Sequence, residues 1–154
     1  MDRPIRELML DGTLSRPLFV DAWESAVDAV GLMNRCRTGS VLVRDEHRLV
    51  GIFTERDVLV RLIQRNRDPR HTEVAEVMTM NPVTVTPQTT LREAMTLMHD
   101  RRVGHLPVRD GAEVGAVIVL RDITTVLAQD LDRENRALHS YIHGPALRFH
   151  GVAI

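Results

Sequence analysis

Residues 51–57 read GIFTERD, and three of them carry groups that could hold a ligand. A carboxylate such as Asp57 can accept hydrogen bonds from two neighbouring hydroxyls, and charge-assisted bonds of this kind are strong. A helix that begins near Thr54 would add free backbone N–H groups suited to an anion, and Arg56 would add a permanent positive charge. The Thr-x-x-Asp spacing is also close to a capping box, which stabilises a helix without any ligand. Both interpretations stay open at this point.

The chain contains an internal duplication. At an offset of 65 residues, positions 17–58 align with 82–123 without a gap, and 12 of the 42 pairs are identical. Self-similarity at a fixed offset indicates two copies of one structural unit.

The duplication separates the aspartate from its capping partner. The Arg-Asp pair recurs as Arg121 and Asp122, whereas Val119 replaces Thr54. An aspartate that persists without the hydroxyl favours ligand contact over capping alone. We therefore predict two unequal sites, with the copy that contains Thr54 binding more tightly.

The elements that must position these residues follow the same order in both copies. Capping patterns at Ser25-x-x-Asp28 and Thr90-x-x-Glu93 precede apolar residues at helical spacing. A glycine then leads into two short strands joined by a polar turn, which predicts a hairpin. The predicted strands cover 18–20, 40–43 and 49–53 in copy one and 83–85, 105–108 and 114–118 in copy two, and the closing helices cover 55–63 and 120–128.

This pattern predicts a mixed α/β (α+β) fold of two β-α-β-β-α repeats packed with pseudo-twofold symmetry. Strands of four or five residues cannot hold a domain alone, so the two units must pack together. The predicted boundaries are 4–65 for repeat 1 with its lead-in helix, 66–73 for a polar linker, 74–130 for repeat 2, and 131–154 for a C-terminal helical extension and tail.

The duplicated plan resembles a tandem pair of CBS domains, the modules named after cystathionine β-synthase. The resemblance rests on lead-ins that end in methionine (IRELM, VAEVM), on PVTVTP, EAMTLM and GHLPV, and on G-x-x-T-x-x-D before a helix. It implies a stand-alone regulatory module without catalytic activity. Such pairs bind adenosine-containing ligands in clefts between the repeats, so the candidates are AMP, ADP, ATP and S-adenosylmethionine, and no cofactor is required.

The resemblance also implies roles for particular residues. The two aspartates, Asp57 and Asp122, would hold ribose hydroxyls, Thr54 would lie near ribose or phosphate, and the adjacent arginines would help with phosphate. Copy two departs from the pattern, because Val119 lacks the hydroxyl and the glycine is displaced to Gly115. The predicted ligand-binding residues are Ser40, Thr54, Arg56, Asp57, Thr84, His105, Arg121 and Asp122.

Three of these residues also have purely structural interpretations. His105 and its counterpart Ser40 border the adenine cleft in the family, but either is also typical of a strand start. Thr84 could reach a ligand or could simply favour an extended backbone.

Composition excludes several classes of function. The formal net charge is −1, whereas nucleic-acid binding selects for a strongly basic face. All 20 basic residues are arginine, and a general compositional bias explains this as well as phosphate recognition does. No apolar run reaches the ~18 residues of a membrane helix, and the N-terminus is not a signal peptide. With Cys36 as its one cysteine, the protein is predicted to be cytoplasmic.

The remaining residues offer no chemistry of their own. No nucleophile–base pair or phosphate-binding loop is recognisable, so no enzyme activity is predicted. His139 and His143 stand four residues apart with His150 nearby, but nothing completes a metal-ligand set, so no metal is predicted. Cys36 is predicted to be a small interior residue at a helix end, and the methionines are predicted to pack in the core.

Two functional hypotheses remain. The first is a ligand sensor that signals to an effector protein of unknown identity, with no role for nucleic acid or membrane. The second is a structural interaction module whose clefts stay empty. Both include a homodimer formed through the apolar faces of the first helices, namely Ala26, Ala29, Val30 and Met33 in copy one and Leu91, Ala94, Met95 and Met98 in copy two.

Overall fold

The structure, a computed structural model, describes residues 3–142. Repeat 1 runs from a short lead-in helix through a strand, a helix, a hairpin and a closing helix. Its elements are α1 (Ile5–Leu10), β1 (Phe19–Asp21), α2 (Ala26–Cys36), β2 (Ser40–Asp45), β3 (Arg48–Thr54) and α3 (Glu55–Asp57), which continues as a π-helical segment (Val58–Ile63).

Repeat 2 follows the same order with two differences. Its elements are α4 (Val74–Val77), β4 (Thr79–Met80), α5 (Leu91–Arg101), β5 (His105–Asp110), β6 (Glu113–Val119) and α6 (Leu120–Ile142). The strand predicted at 83–85 is reduced to one parallel bridge between Val85 and Val108. The helix predicted at 120–128 continues to Ile142. The expected mixed α+β fold is confirmed.

The hairpins show that the two copies share one backbone plan. In the four-stranded sheet, β1 pairs parallel with β2, and β2 and β4 flank β3 antiparallel. The second sheet holds β5 and β6. A register shift falls between Val43 and Arg44 in the first hairpin and between Val108 and Arg109 in the second, which is the same place at the repeat offset.

The first helix of each copy is built as its sequence predicts. Ser25 Oγ accepts a hydrogen bond from the Asp28 N–H at the start of α2, and Thr90 Oγ1 accepts one from the Glu93 N–H at the start of α5. Both helices end at an arginine in the left-handed region, Arg37 with φ 53° and Arg102 with φ 53°. Non-glycine residues seldom adopt this conformation, so its recurrence in both copies is a fixed feature of the repeat.

The lead-ins are exchanged between the two cores. Ile5 and Leu8 of α1 are fully buried in the core of repeat 2, while Val74 and Val77 of α4 are fully buried in the core of repeat 1. Backbone hydrogen bonds fix both crossings, for example from Ile5 N–H to Thr89 O and from Val74 N–H to Glu24 O. Neither sequence segment therefore closes its own core, and the domain boundaries drawn along the chain stay a prediction.

Two glycines make room for the exchanged methionines. A side chain at Gly51 of β3 would overlap the Met78 Sδ, and one at Gly115 of β6 would lie 3.1 Å from the Met9 Cε. The displaced glycine of copy two thus serves the packing of a lead-in methionine. The five methionines predicted to pack there, Met9, Met33, Met78, Met95 and Met98, lie in or against the cores, whereas Met80 is exposed.

Most residues of the faces predicted for dimerisation are used inside the monomer. Ala26, Ala29 and Met33 are buried in the core of repeat 1, as are Leu91, Ala94 and Met98 in the core of repeat 2. These six residues cannot also meet a second subunit, whereas Val30 and Met95 are half-buried, and a homodimer through these helices stays a prediction.

The exchange of α1 predicts a large effect from a residue outside the sequence of repeat 2. Replacing Leu8 with alanine should lower the free energy of unfolding by about 2–5 kcal/mol, because a buried leucine leaves a cavity. Leu10→Ala on the same helix is the control, since Leu10 is 81% exposed and should change stability by no more than about 0.5 kcal/mol. Urea denaturation measures both, and equal effects would argue against the exchange.

Candidate functional site

A cavity of about 700 Å³ opens between the two repeats. Repeat 1 contributes the segment 15–18 before β1, the C-terminal end of α2 and the start of β2; repeat 2 contributes the start of β5, the end of β6 and the first residues of α6. This size lies within the ~300–1,000 Å³ of small-molecule sites. The walls are partly apolar, with Leu18, Leu42 and Val117 among them.

Asp122 lines the cavity, and only one of its two carboxylate oxygens accepts a hydrogen bond from residues 3–142. Its Oδ2 accepts a hydrogen bond from the Val119 N–H at 3.1 Å, as the start of α6 requires a capping acceptor. No hydrogen bond from residues 3–142 reaches its Oδ1. Burial raises the pKa of Asp122, and the Val119 N–H and the Arg121 charge oppose the rise. One oxygen is therefore available to a ligand hydroxyl.

Three guanidinium groups line the same cavity: Arg16, Arg37 and Arg121. Within residues 3–142 none of the three forms an ion pair with a carboxylate. Arg37 is the left-handed residue that ends α2, and this strained backbone turns the chain at the edge of the cavity. These three positive charges outnumber the two carboxylates that the described residues place in the cavity, Glu55 and Asp122, and form a favourable place for an anion.

His105 bridges the two repeats from the start of β5. A methyl group at Gly39 of repeat 1 would lie 3.2 Å from the His105 Nε2 and 3.3 Å from the Glu55 Oε2. Burial lowers the pKa of His105, and the neighbouring charges of Glu55 and Asp122 oppose the shift. The imidazole is therefore neutral at pH 7. Ser40, its counterpart, is buried at the other side of the same cavity.

Asp57 is engaged on both oxygens and does not line this cavity. Its Oδ2 accepts hydrogen bonds from the Thr54 N–H at 2.9 Å and from Thr54 Oγ1 at 3.0 Å, which completes a capping box. Its Oδ1 accepts one from Thr79 Oγ1 at 3.0 Å and lies 3.3 Å from Arg61 Nε. With 6% of its surface exposed, Asp57 acts as a clamp between the closing helix of repeat 1 and the exchanged lead-in.

Copy two keeps the backbone bond of that clamp, from the Val119 N–H to Asp122, but lacks its side-chain partners. At the repeat offset, Val119 stands for Thr54 and Val126 for Arg61, and at the matching lead-in position Leu10 stands for Thr79. The side chains of all three replacements are apolar and cannot donate a hydrogen bond to a carboxylate. Valine at position 119, which departs from the Thr-x-x-Asp motif, thus leaves one oxygen of Asp122 available in the cavity.

The structure places half of the predicted site residues together. Ser40, His105, Arg121 and Asp122 line the cavity. The other four, namely Thr54, Arg56, Asp57 and Thr84, are not among its lining residues. This geometry argues against tighter binding by the copy that contains Thr54.

The cavity residues that sequence reasoning missed include Arg16, Cys36, Arg37 and Glu55. Cys36 was expected in the interior but is exposed at the end of α2, because the helix turns outward at Arg37. The sequence holds one signal that could have identified Arg37. An arginine stands two residues before the glycine in both copies, as Arg37 before Gly39 and Arg102 before Gly104.

Comparison with known proteins assigns the repeats to a family. The sequence profile of the CBS domain matches residues 5–64 and 74–129. The chain belongs to the CBS-domain family. Among curated proteins of Arabidopsis thaliana, the CBS domain-containing protein CBSX3, mitochondrial, is 34% identical over 127 residues, or 79% of this chain. CBSCBSPB2 is 35% identical over 144 residues, or 88% of this chain. The chain spans 61% of the length of CBSX3 and 26% of the length of CBSCBSPB2.

Solved structures share the CBS-pair fold. A protein with CBS domains from Burkholderia ambifaria MC40-6 matches with a TM-score of 0.78 and 28% identity, over 83% of this chain and 96% of that one. The CBS domain pair of protein MJ0100, in complex with 5′-methylthioadenosine and S-adenosyl-L-methionine, matches with a TM-score of 0.73 and 21% identity, over 84% of this chain and 99% of that one.

Two further findings concern the described part of the CBS pair. Within residues 3–142, no helix is both long enough and apolar enough to cross a membrane. The same residues contain no cluster of three or more potential metal ligands. His143 and His150, named with His139 in the metal hypothesis, lie outside the described residues.

The clamp predicts that Asp57 matters for stability more than Asp122 does. Asp57→Ala should lower the free energy of unfolding by about 2–4 kcal/mol, because the part-buried donors of Thr54 and Thr79 lose their acceptor and Arg61, which still donates to the Met78 carbonyl, loses its carboxylate. Asp122→Ala is the matched control in the other repeat and should change stability by less than about 1 kcal/mol. Urea denaturation compares them, and a smaller loss for Asp57→Ala would contradict the clamp.

The depressed pKa of His105 predicts a loss of stability in mild acid. The folded pKa lies below the unfolded value of 6.5, so the unfolded chain binds the proton first, and stability falls as the pH drops below that value towards the folded pKa. His105→Gln should therefore lose less stability between about pH 7 and pH 5 than the wild-type chain does. His47→Gln, outside the cavity, controls for loss of a histidine. If the free energy of unfolding fell by the same amount with pH in all three chains, His105 would not be the source of the acid sensitivity.

Proposed function

We propose that this CBS pair is a regulatory module, not an enzyme, that binds an adenosine nucleotide beside Asp122 and signals to a partner protein. One observation carries the proposal. A carboxylate with one unengaged oxygen faces the same cavity as Arg16, Arg37 and Arg121, none of which forms a close ion pair within residues 3–142. A nucleoside phosphate supplies both complements, a diol for the carboxylate and an anion for the arginines.

The cavity offers a separate place for each part of such a ligand. Asp122 Oδ1 would accept from the ribose hydroxyls, and the exposed guanidinium groups would bind the phosphates. The base would lie on the apolar walls at Leu18, Leu42 and Val117. Neutral His105 can donate or accept a hydrogen bond at the rim, which adds no charge against the phosphates.

The charge of the cavity favours AMP, ADP or ATP over S-adenosylmethionine. The neighbour MJ0100 binds S-adenosyl-L-methionine, whose sulfonium group is positive. In this chain the corresponding positive charge would approach three guanidinium groups, which is unfavourable. We therefore rank the phosphate-bearing nucleotides first for this protein.

A second candidate function is a dimerisation module with empty clefts. Leu59 and Ile63 of the π-helical segment are 63% and 66% exposed, and Val60 is also exposed. A contiguous apolar surface of this kind is typical of a protein contact. We propose that this patch, rather than α2 and α5, forms the homodimer contact. The two functions are compatible, and the cytoplasm is the compartment proposed for both.

Replacing Asp122 tests the binding proposal. Isothermal calorimetry with AMP, ADP, ATP and S-adenosylmethionine should detect the phosphate-bearing ligands, and Asp122→Ala should weaken them about 10–100-fold, since a charge-assisted hydrogen bond contributes about 1.5–3 kcal/mol. Asp132→Ala, which removes an exposed carboxylate from α6, should bind as the wild-type chain does. Absence of binding by all four ligands at millimolar concentration would leave the dimerisation module as the better proposal.

The exposed thiol of Cys36 gives an independent readout at the cavity wall. A bound nucleotide should slow alkylation of Cys36 by iodoacetamide, because the thiol lines the cavity and is the chain's one cysteine. The protection should disappear in Asp122→Ala. Unchanged alkylation in the presence of a ligand that calorimetry detects would place that ligand elsewhere.

A further inference from the structure

Helix α6 extends well beyond the CBS fold. The family match ends at residue 129, whereas the helix runs on to Ile142. Its first turns are anchored in the core through Ile123 and Val126, but every residue from Leu131 to Ile142 is exposed. Twelve helical residues, about 18 Å in length, therefore bury no side chain in the cores described for residues 3–142.

An apolar stripe runs along α6, formed by the half-buried Leu127, which packs against the core of repeat 2, and by the exposed Leu131, Leu138 and Ile142. Leu131 and Ile142 are 11 residues apart, as are Leu127 and Leu138. An 11-residue spacing returns to the same side of a helix after three turns, so the four side chains lie within an arc of roughly 60°. Leu131 is 63% exposed, Leu138 61% and Ile142 76%. Because the stripe runs along the helix axis, it suits contact with another long helix better than insertion into a small pocket.

We propose that this stripe pairs with the same stripe of a second copy, with the two α6 helices parallel and in register. A helical end of this length is marginal by itself in water, and burying four large apolar side chains against a partner would stabilise it. The pairing goes beyond the nucleotide proposal, because it uses residues outside the matched family region and needs no ligand.

The flanks of the stripe specify the partner and its direction. Glu134 lies on one flank and Asn135 on the other, at nearly the same height along the helix. In a parallel pair the Glu134 carboxylate of one helix would accept a hydrogen bond from the Asn135 amide of its partner, and the reverse. In an antiparallel pair the flank with Asp130 and Glu134 would face its own acidic copy, which is repulsive.

A membrane surface is a poorer occupant. Interfacial helices carry a polar face rich in Lys and Arg. The polar residues of this segment balance instead, with Arg133 and Arg136 against Asp132 and Glu134. The absence of a basic excess favours a second helix over anionic lipid.

Charge insertion into the stripe tests the pairing in the full chain. Leu131→Glu/Leu138→Glu should raise the dimer dissociation constant at least tenfold in sedimentation equilibrium. Gln129→Glu/Ser140→Glu adds the same charge to the opposite face of α6 and should stay within about twofold of the wild-type chain. Equal dissociation constants for the three chains, or a monomeric wild-type chain, would overturn the proposal.

Cross-linking tests the direction even if another surface also holds the dimer. In a Cys36→Ser background, Leu138→Cys should form an intermolecular disulfide under mild oxidation, because a parallel register places the two positions opposite each other. Ser140→Cys, on the far face, should not. Two outcomes would overturn the parallel pair. One is a disulfide in Ser140→Cys but not in Leu138→Cys. The other is a disulfide that forms only when Leu131→Cys chains are mixed with Leu138→Cys chains.

Discussion

The exchange of lead-in helices is the constraint on which the rest of this structure depends. Each repeat alone has a short hairpin and two helices, too little to exclude water from its core. The missing apolar surface comes from the other copy, with Leu8 closing the second core and Val77 closing the first. The two modules therefore form one cooperative unit. Both repeats contribute walls to the cavity between them. The repeats cannot separate without exposing both cores.

The exchange also explains why two copies of the same aspartate differ. In repeat 1 the lead-in brings Thr79 onto Asp57, and Arg61 completes the clamp. The carboxylate holds the junction together and has no oxygen left over. In repeat 2 the residue at the Thr79 position is Leu10, which is 81% exposed, so no lead-in hydroxyl reaches Asp122 and one of its oxygens stays available in the cavity. Duplication thus left one aspartate with a structural role and the other accessible.

Local sequence patterns predicted what is local in this fold. Capping residues and apolar spacing located the helices, and the glycine-led hairpins located the strands, because these depend on neighbours a few residues away. They could not predict which core a lead-in joins, since an amphipathic helix fits either. The same limit applies to the candidate site. The Thr54–Asp57 spacing is visible in the sequence, but Thr79 reaches Asp57 from 22 residues away, and Arg37 enters the cavity through a left-handed turn that favours glycine.

The position of Asp122 gives a physical route from ligand to surface. It lies in the first turn of α6, and the same helix continues without interruption to Ile142, about 34 Å from its start. A ligand can bias an assembly only through contacts that differ between its states. A nucleotide held by Asp122 and Arg121 would fix the start of α6 against repeat 1. The direction in which the exposed stripe points would be fixed with it, so cavity and stripe would be coupled through one rigid element rather than through a chain of side chains.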